Sequence, residues 1–202
     1  MHRPQAVYYY ATCLVDLLYP EAGLAGMQLI RRAGVEDIVD LRTGSATDMP
    51  FDDASFDVVI ALESAFHFQD RDRFLREAFR VLRPAGRVVT ADIIPEVSQP
   101  GHSLSLSWRL TASRFAIPAA NAYPIGRYRE ILGACGFEKV SVRSIRDDVY
   151  PPLHAFLRKS PETLNRLHPM ARLPARLAIR FDAGLTFRGM DYIIALGQKP
   201  VE

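Results

Sequence analysis

Gly44-Ser45-Ala46-Thr47-Asp48-Met49-Pro50-Phe51 opens the run that decides the fold. It continues as Ser55-Phe56-Asp57-Val58-Val59-Ile60-Ala61-Leu62-Glu63-Ser64-Ala65-Phe66-His67-Phe68 and, after a helical stretch, closes with Leu82-Arg83-Pro84-Ala85-Gly86-Arg87-Val88-Val89-Thr90-Ala91-Asp92. Asp52-Asp53-Ala54-Ser55 is turn chemistry. Phe56 to Leu62 is apolar throughout apart from Asp57, as a strand covered on both faces requires. Phe74, Leu75, Ala78, Phe79 and Leu82 fall on one face of a helix over 71–82, with Asp70 as its N-cap and Pro84 and Gly86 as its stop. A second apolar strand runs from Arg87 to Ile94. The first strand ends in Glu63, Ser64 and His67, and the second carries Asp92 near its end. In open α/β sheets ligands sit beyond the carboxyl ends of parallel strands, so these groups mark a candidate site.

Upstream, Tyr8-Tyr9-Tyr10 suits either a strand or a helix, since short apolar runs do not decide between them. Thr12 to Leu18 suits a buried strand, a helix from Tyr19-Pro20-Glu21 to about Ala33 follows, and Ile38 to Thr43 alternates as a more exposed strand. Downstream, residues 96–122 are mixed in character, with a short helical segment around Leu104 to Phe115, and read as a helical cap inserted over the strand ends. Tyr123 to Gly136 predicts a helix with Tyr128, Ile131, Leu132 and Cys135 inward. Phe137 to Ile145 is a strand, 152–184 is helical and rich in arginine, and Met190 to Gly197 is the last strand. The βαβ alternation argues for an α/β fold with one doubly wound, mostly parallel sheet.

Composition narrows the function. The chain has 202 residues, 49% of them hydrophobic, enough for a single domain spanning 1–202 with its own core. A formal net charge of +2 gives no electrostatic case for nucleic acid. Cys13 and Cys135 are too few for a disulfide framework and read as buried thiols in a reducing compartment. His102, His154 and His168 lack ligand spacing, so no metal is assigned. The apolar run from Ala6 to Tyr19 is broken by Asp16 and too short to span a bilayer, which predicts a soluble, cytoplasmic protein with no membrane partner. The sequence leaves open whether it works as a homo-oligomer.

The run from Gly44 to Asp92 also resembles the central part of class I S-adenosylmethionine (SAM) dependent methyltransferases, within them the group that methylates sugars and other small natural products. The resemblance rests on the Pro50-Phe51 turn, the Ser55-Phe56-Asp57 strand entry, Ala61-Leu62-Glu63-Ser64 with His67, and Leu82-Arg83-Pro84-x-Gly86. It covers roughly residues 14 to 199. It implies a Rossmann-like sheet whose last strand is antiparallel, and SAM as cofactor. The family's glycine-rich turn, where a missing side chain lets backbone approach the methionine end of SAM, has no counterpart here. The upstream glycine pair, Gly23-Leu24-Ala25-Gly26, lies inside a helical pattern. The chain is therefore expected to be N-terminally truncated relative to the family, with Val7 to Cys13 or a partner chain covering the sheet edge left open.

By resemblance, Asp16 accepts the ribose hydroxyls, Gly44, Ser45 and Ala46 contact the adenine, and Leu62, Glu63 and Ser64 lie along the cofactor. Ser45 stands where the family has an aspartate, and a hydroxyl accepts that hydrogen bond more weakly. His67 matches the position of a general base, and Asp92 that of an acid which orients the ring or assists proton removal. The alternative for His67 is an inert ring packed between Phe66 and Phe68. Trp108, Phe115 and Tyr123 either line an acceptor pocket or are plain core aromatics. The function implied is methyl transfer to a hydroxyl of a small-molecule acceptor, a sugar or other natural product. A carbon or lipid methyltransferase, and a degenerate fold serving as subunit or remnant, are the alternatives.

Overall fold

The computed structural model describes residues 7–10, 32, 44–96, 105–114, 116–166 and 169–201. Five strands form one mixed sheet: β1 (Val7–Tyr10), β2 (Phe56–Leu62), β3 (Leu82–Pro95), β4 (Glu138–Ser144) and β5 (Met190–Gln198), in the order β1-β2-β3-β5-β4. β1, β2 and β3 run parallel, and β5 lies antiparallel between β3 and β4. The last strand is thus antiparallel, as expected, and it enters the sheet inside β4 rather than at the edge.

The three tyrosines near the N-terminus belong to a strand. β1 pairs with β2 from Val7↔Val58 to Tyr10↔Ala61, so part of the hydrogen-bonding edge of β2 is covered from within the chain. The elements expected at 12–18, 19–33 and 38–43 lie outside the described residues, apart from Arg32, which is helical.

β2 is followed by a 3₁₀ turn, Ala65–His67, and then by helix α1 (Arg71–Val81). Asp70 caps α1 by accepting the Arg73 N–H at 2.9 Å. The helix stops at Val81, and Leu82, expected to be its last residue, instead begins β3 opposite Phe56. The strand therefore absorbs Leu82 to Gly86, with a register shift between Phe56 and Val58 and a left-handed Ala85 at φ 63°. Phe74, Leu75, Ala78 and Val81 of α1 are buried against Val59 and Ala61 of β2 and Val88 and Ile94 of β3.

The cap contains α2 (Leu106–Arg114) and a 3₁₀ turn, Ala119–Asn121. Next comes α3 (Ile125–Ala134), burying Tyr128, Ile131 and Leu132 in the same core, with Cys135 half-buried just beyond it. Gly136, at φ 98°, closes α3: its N–H reaches Gly133 O and the Phe137 N–H reaches Leu132 O, a Schellman ending that a side chain at this φ would strain.

After β4, α4 (Arg146–Lys159) begins before residue 152, where the sequence predicts the helical segment. Asp147 and Asp148 favour a helix start here by facing the positive end of the dipole. Pro151 and Pro152 then fall in the early turns, where each removes one backbone bond. A 3₁₀ turn (Pro161–Arg166), α5 (Pro169–Ala178) and a short α6 (Ala183–Thr186) lead to β5. A second apolar cluster joins the cap to the sheet: Phe66, Trp108, Ile117, Tyr150, Met190 and Tyr192. No helix among the described residues is long and apolar enough to cross a membrane.

Candidate functional site

The carboxyl ends of β2 and β3 are in register. Leu62 pairs with Ala91, and the Glu63 N–H donates to Ala91 O at 2.8 Å. Leaving the sheet there requires a sharp change of direction, and Glu63 makes it in the left-handed region at φ 50°. A non-glycine residue held at such a φ costs free energy that the surroundings must supply, and such residues gather at functional sites. Leu62 is 50% exposed at the very end of an otherwise covered strand. The Glu63 side chain is exposed, and its Oε1 accepts the Tyr192 hydroxyl from β5 at 2.6 Å. That bond, on top of burial of the phenol, keeps Tyr192 protonated well above the usual range.

Ser64 turns inward. It is fully buried, and its Oγ has no hydrogen-bond partner among the described residues. Its carbonyl accepts the His67 N–H at 3.0 Å, which closes the 3₁₀ turn. His67 is half-buried, and its ring lies 4.0 Å from that of Phe66 at 41°. Phe66 itself is buried in the cap cluster.

Beneath this turn lies a buried polar network. Asp92 is fully buried; its Oδ1 accepts the Phe66 N–H at 3.0 Å and its Oδ2 sits 3.0 Å from Arg71 Nε. The Tyr128 hydroxyl, 2.8 Å from Thr90 Oγ1, reaches the same Oδ2 at 3.4 Å. Burial pushes the Asp92 carboxyl up to about 6, against the pull of Arg71 and of the Phe66 and Ile93 amides, so at neutral pH it is a carboxylate. Arg71 is fully buried too, its guanidinium 4.8 Å and 5.1 Å from the Tyr123 and Tyr128 ring centres. Burial works against its charge, but Asp92 together with Tyr128 and Tyr123 holds its proton more tightly than usual. Asn121 completes the set: its Oδ1 accepts the Arg71 N–H at 2.9 Å, and its Nδ2 donates to Phe66 O at 3.2 Å and Phe68 O at 2.6 Å.

The strand-end residues read from the sequence are thus brought together, but not as one open set. Glu63 and Leu62 face solvent, His67 is half-buried, and Ser64 and Asp92 lie underneath. The Asp92 carboxylate, expected to orient the His67 ring or assist proton removal, spends its oxygens on the Phe66 amide, Arg71 and Tyr128.

Gly44 opens a tight turn in which an added Cβ would meet Pro50 Cδ at 2.9 Å. Gly44 and Ser45 are exposed, and the Ser45 hydroxyl is engaged locally, 2.9 Å from Thr47 Oγ1 and accepting the Thr47 N–H at 3.2 Å. Ala46 is buried in the core. The turn is clamped from α1: Arg80 donates to Met49 O and Phe51 O, and Glu77 accepts the Met49 N–H. Asp16 lies outside the described residues.

Among the described residues no cluster of three or more His, Cys, Asp or Glu is arranged to hold a metal ion. A cavity of about 570 Å³ is lined by Arg158, Asn165, Arg176 and Arg180 and by no residue of β2 or β3.

Sequence reasoning missed Arg71, Asn121 and Tyr192. Arg71 left one trace: a cation in the first turn of a helix opposes the dipole and needs a reason to be there. Asn121, a polar residue between alanines, left almost none.

A family model described as a methyltransferase domain matches residues 8–90. The erythromycin 3''-O-methyltransferase of Saccharopolyspora erythraea is 34% identical over 197 residues, which is 92% of this chain and 63% of that protein. The chain spans less than two thirds of the length of this relative. Among solved structures, geranyl diphosphate methyltransferase in complex with SAM superposes with a TM-score of 0.66 at 17% identity, covering 96% of this chain and 78% of that one. The [4+2]-cyclase SpnF superposes at 0.63 with 18% identity, covering 97% and 66%. In sequence the chain is similar to a methyltransferase domain over residues 8–90 and to an O-methyltransferase along most of its own length, and its α/β fold is that of the methyltransferase structure it superposes on.

Proposed function

We propose that the chain binds SAM against the ends of β2 and β3 and transfers its methyl group to a hydroxyl of a small-molecule acceptor, with His67 as general base. The observation that carries this reading is the loop after β2: a strained, exposed Glu63, an orphaned buried Ser64 hydroxyl and a half-buried His67 within five residues of a strand end. The erythromycin 3''-O-methyltransferase relative supports oxygen as the acceptor atom and a small natural product as the acceptor class.

The residues fit the cofactor. A carboxylate, a hydroxyl without a partner among the described residues and an exposed leucine suit a nucleoside with a cationic amino-acid tail. Glu63 would hold hydroxyls or the cationic end, Ser64 Oγ would supply a hydrogen bond, and Leu62 would cover the apolar ring. Gly44, Ser45 and Ala46 would border the adenine, and Asp16 would take the ribose hydroxyls. When bound, SAM supplies a methyl group on a sulfonium, an electrophile that needs no further activation.

The chain's own work is then positioning and proton removal. Holding the acceptor oxygen in line with the methyl provides most of the rate. His67 accepts the proton that the hydroxyl loses as its oxygen attacks, which histidine does well near neutral pH. Asp92 keeps its carboxylate on the loop backbone and acts through it. A carbon or lipid acceptor would leave His67 an orienting role only.

Calorimetric titration with SAM tests the first half: micromolar binding is expected, and a folded chain that takes up no SAM overturns the reading in favour of a non-catalytic subunit. Methyl transfer from labelled SAM to hydroxylated macrolide glycosides tests the second. His67→Gln is expected to slow it about 10²–10⁴-fold with SAM affinity unchanged.

A further inference from the structure

We propose that Asn121 is a positioning residue for His67, coupling the cap to the base, an inference that rests on the reading of His67 given above. The residues on either side of His67 are gripped from below by buried side chains. Phe66 gives its N–H to Asp92 and its carbonyl to Asn121, and Phe68 gives its carbonyl to Asn121. Asn121 at the same time accepts the Arg71 N–H, the first donor of α1, which has no partner within its own helix. One carboxamide therefore ties the loop before α1, the start of α1 and the 3₁₀ turn that ends the cap.

The chemistry of the position is selective. The site asks for one acceptor facing an amide and two donors facing carbonyls. Asparagine offers that set, and the partners fix which way its amide points. Aspartate keeps the acceptor and puts a negative charge against two carbonyl oxygens in a fully buried place. Alanine leaves two buried carbonyls and a helix N–H unanswered. Movement of the cap at Ala119–Asn121 would be transmitted to both neighbours of His67, so that the base is aligned when the cap is seated.

The test reads His67 directly. In the full chain labelled with ¹³C-histidine, the His67 ring resonances, assigned with His67→Gln, carry a ring-current shift from Phe66, 4.0 Å away. Asn121→Ala and the milder Asn121→Ser are each expected to move them toward free-peptide values. Methyl transfer should fall about 100-fold, the cost of a misplaced reacting group, with the dissociation constant for SAM unchanged. Unmoved His67 resonances in a folded variant overturn the proposal. The unaltered chain gives an independent reading that survives failure of both variants to fold. There the Arg71 amide, a first-turn donor that ordinarily exchanges freely, is expected to exchange as slowly as Val59 in β2. Rapid exchange at Arg71 overturns the proposal. Moved resonances with no methyl transfer in the unaltered chain would uphold the positioning and sink the role of His67 as base.

Discussion

At the scale of single residues, Asp92 and Arg71 set the character of the site. A buried ion pair adds little net stability, because desolvation offsets the attraction, but losing one partner leaves an uncompensated buried charge. Asp92→Ala is therefore expected to destabilise the fold by about 3–5 kcal/mol. The pH dependence has a definite sign. The carboxyl sits at about 6 in the folded chain against an ordinary 3.8, so the folded state binds this proton more tightly than the unfolded one. The stabilising share of Asp92 is then fully present below about pH 4 and is lost as pH rises through about 6. Urea unfolding of the unaltered chain and of Asp92→Asn at intervals from pH 4 to 7 checks this. The stability difference should move against the unaltered chain across that window, and a difference that stays flat would refute the assignment.

At the scale of elements, α1 works as a bracket. Its first residue anchors the network under the His67 turn, and its last turn clamps the segment around Met49 to Asp53. Arg80 spreads its fork over Phe51 O, Asp53 and Met49 O while pairing with Glu77, which in turn holds the Met49 N–H. The Arg80 hydrogen bond holds the Glu77 carboxyl below its ordinary range. Glu77 therefore contributes stability above about pH 4.5 that is lost as pH falls. Arg80→Ala removes the guanidinium donors from Phe51 O and from Met49 O, the latter keeping only the Phe51 N–H, and is expected to cost about 1–3 kcal/mol. Arg80→Lys should recover only part of it, since a lysine cannot span the same fork. Denaturant unfolding of both variants reads the difference, and equal stability of Arg80→Lys and the unaltered chain would rule the clamp out. The helix itself was legible from its apolar stripe and its Asp70 cap. Its bracing role was not, because each clamp joins positions 21 or more apart and leaves no period in the sequence.

At the scale of the whole molecule, the sheet was legible because β2 is an apolar run that stops abruptly at Glu63 and the apolar run of β3 is broken by Asp92 close to its end. The site was half legible for the same reason: strand ends announce themselves, whereas Asn121 reaches its partners across 50 to 55 positions. The boundary of β3 escaped because Pro84 and Gly86 signal a stop while the pairing of Leu82 with Phe56 overrides it. The identity of β1 escaped because three tyrosines carry no periodicity, and only pairing decides their conformation. That pairing has a consequence for the assembled sheet. β2 is central only while Val7–Tyr10 covers one of its edges; without that strand, a row of N–H and C=O groups on an apolar, β-branched segment becomes a template for another chain. Removing residues 1–10 is therefore expected to lower soluble yield and to produce thioflavin-binding aggregates, whereas removing Val201 and Glu202, which follow β5, should do neither. Light scattering and thioflavin fluorescence on the two truncated chains provide the measurement. A soluble, monodisperse chain lacking residues 1–10 that melts like the unaltered protein would mean that the β1 pairing contributes nothing to guarding the edge of β2.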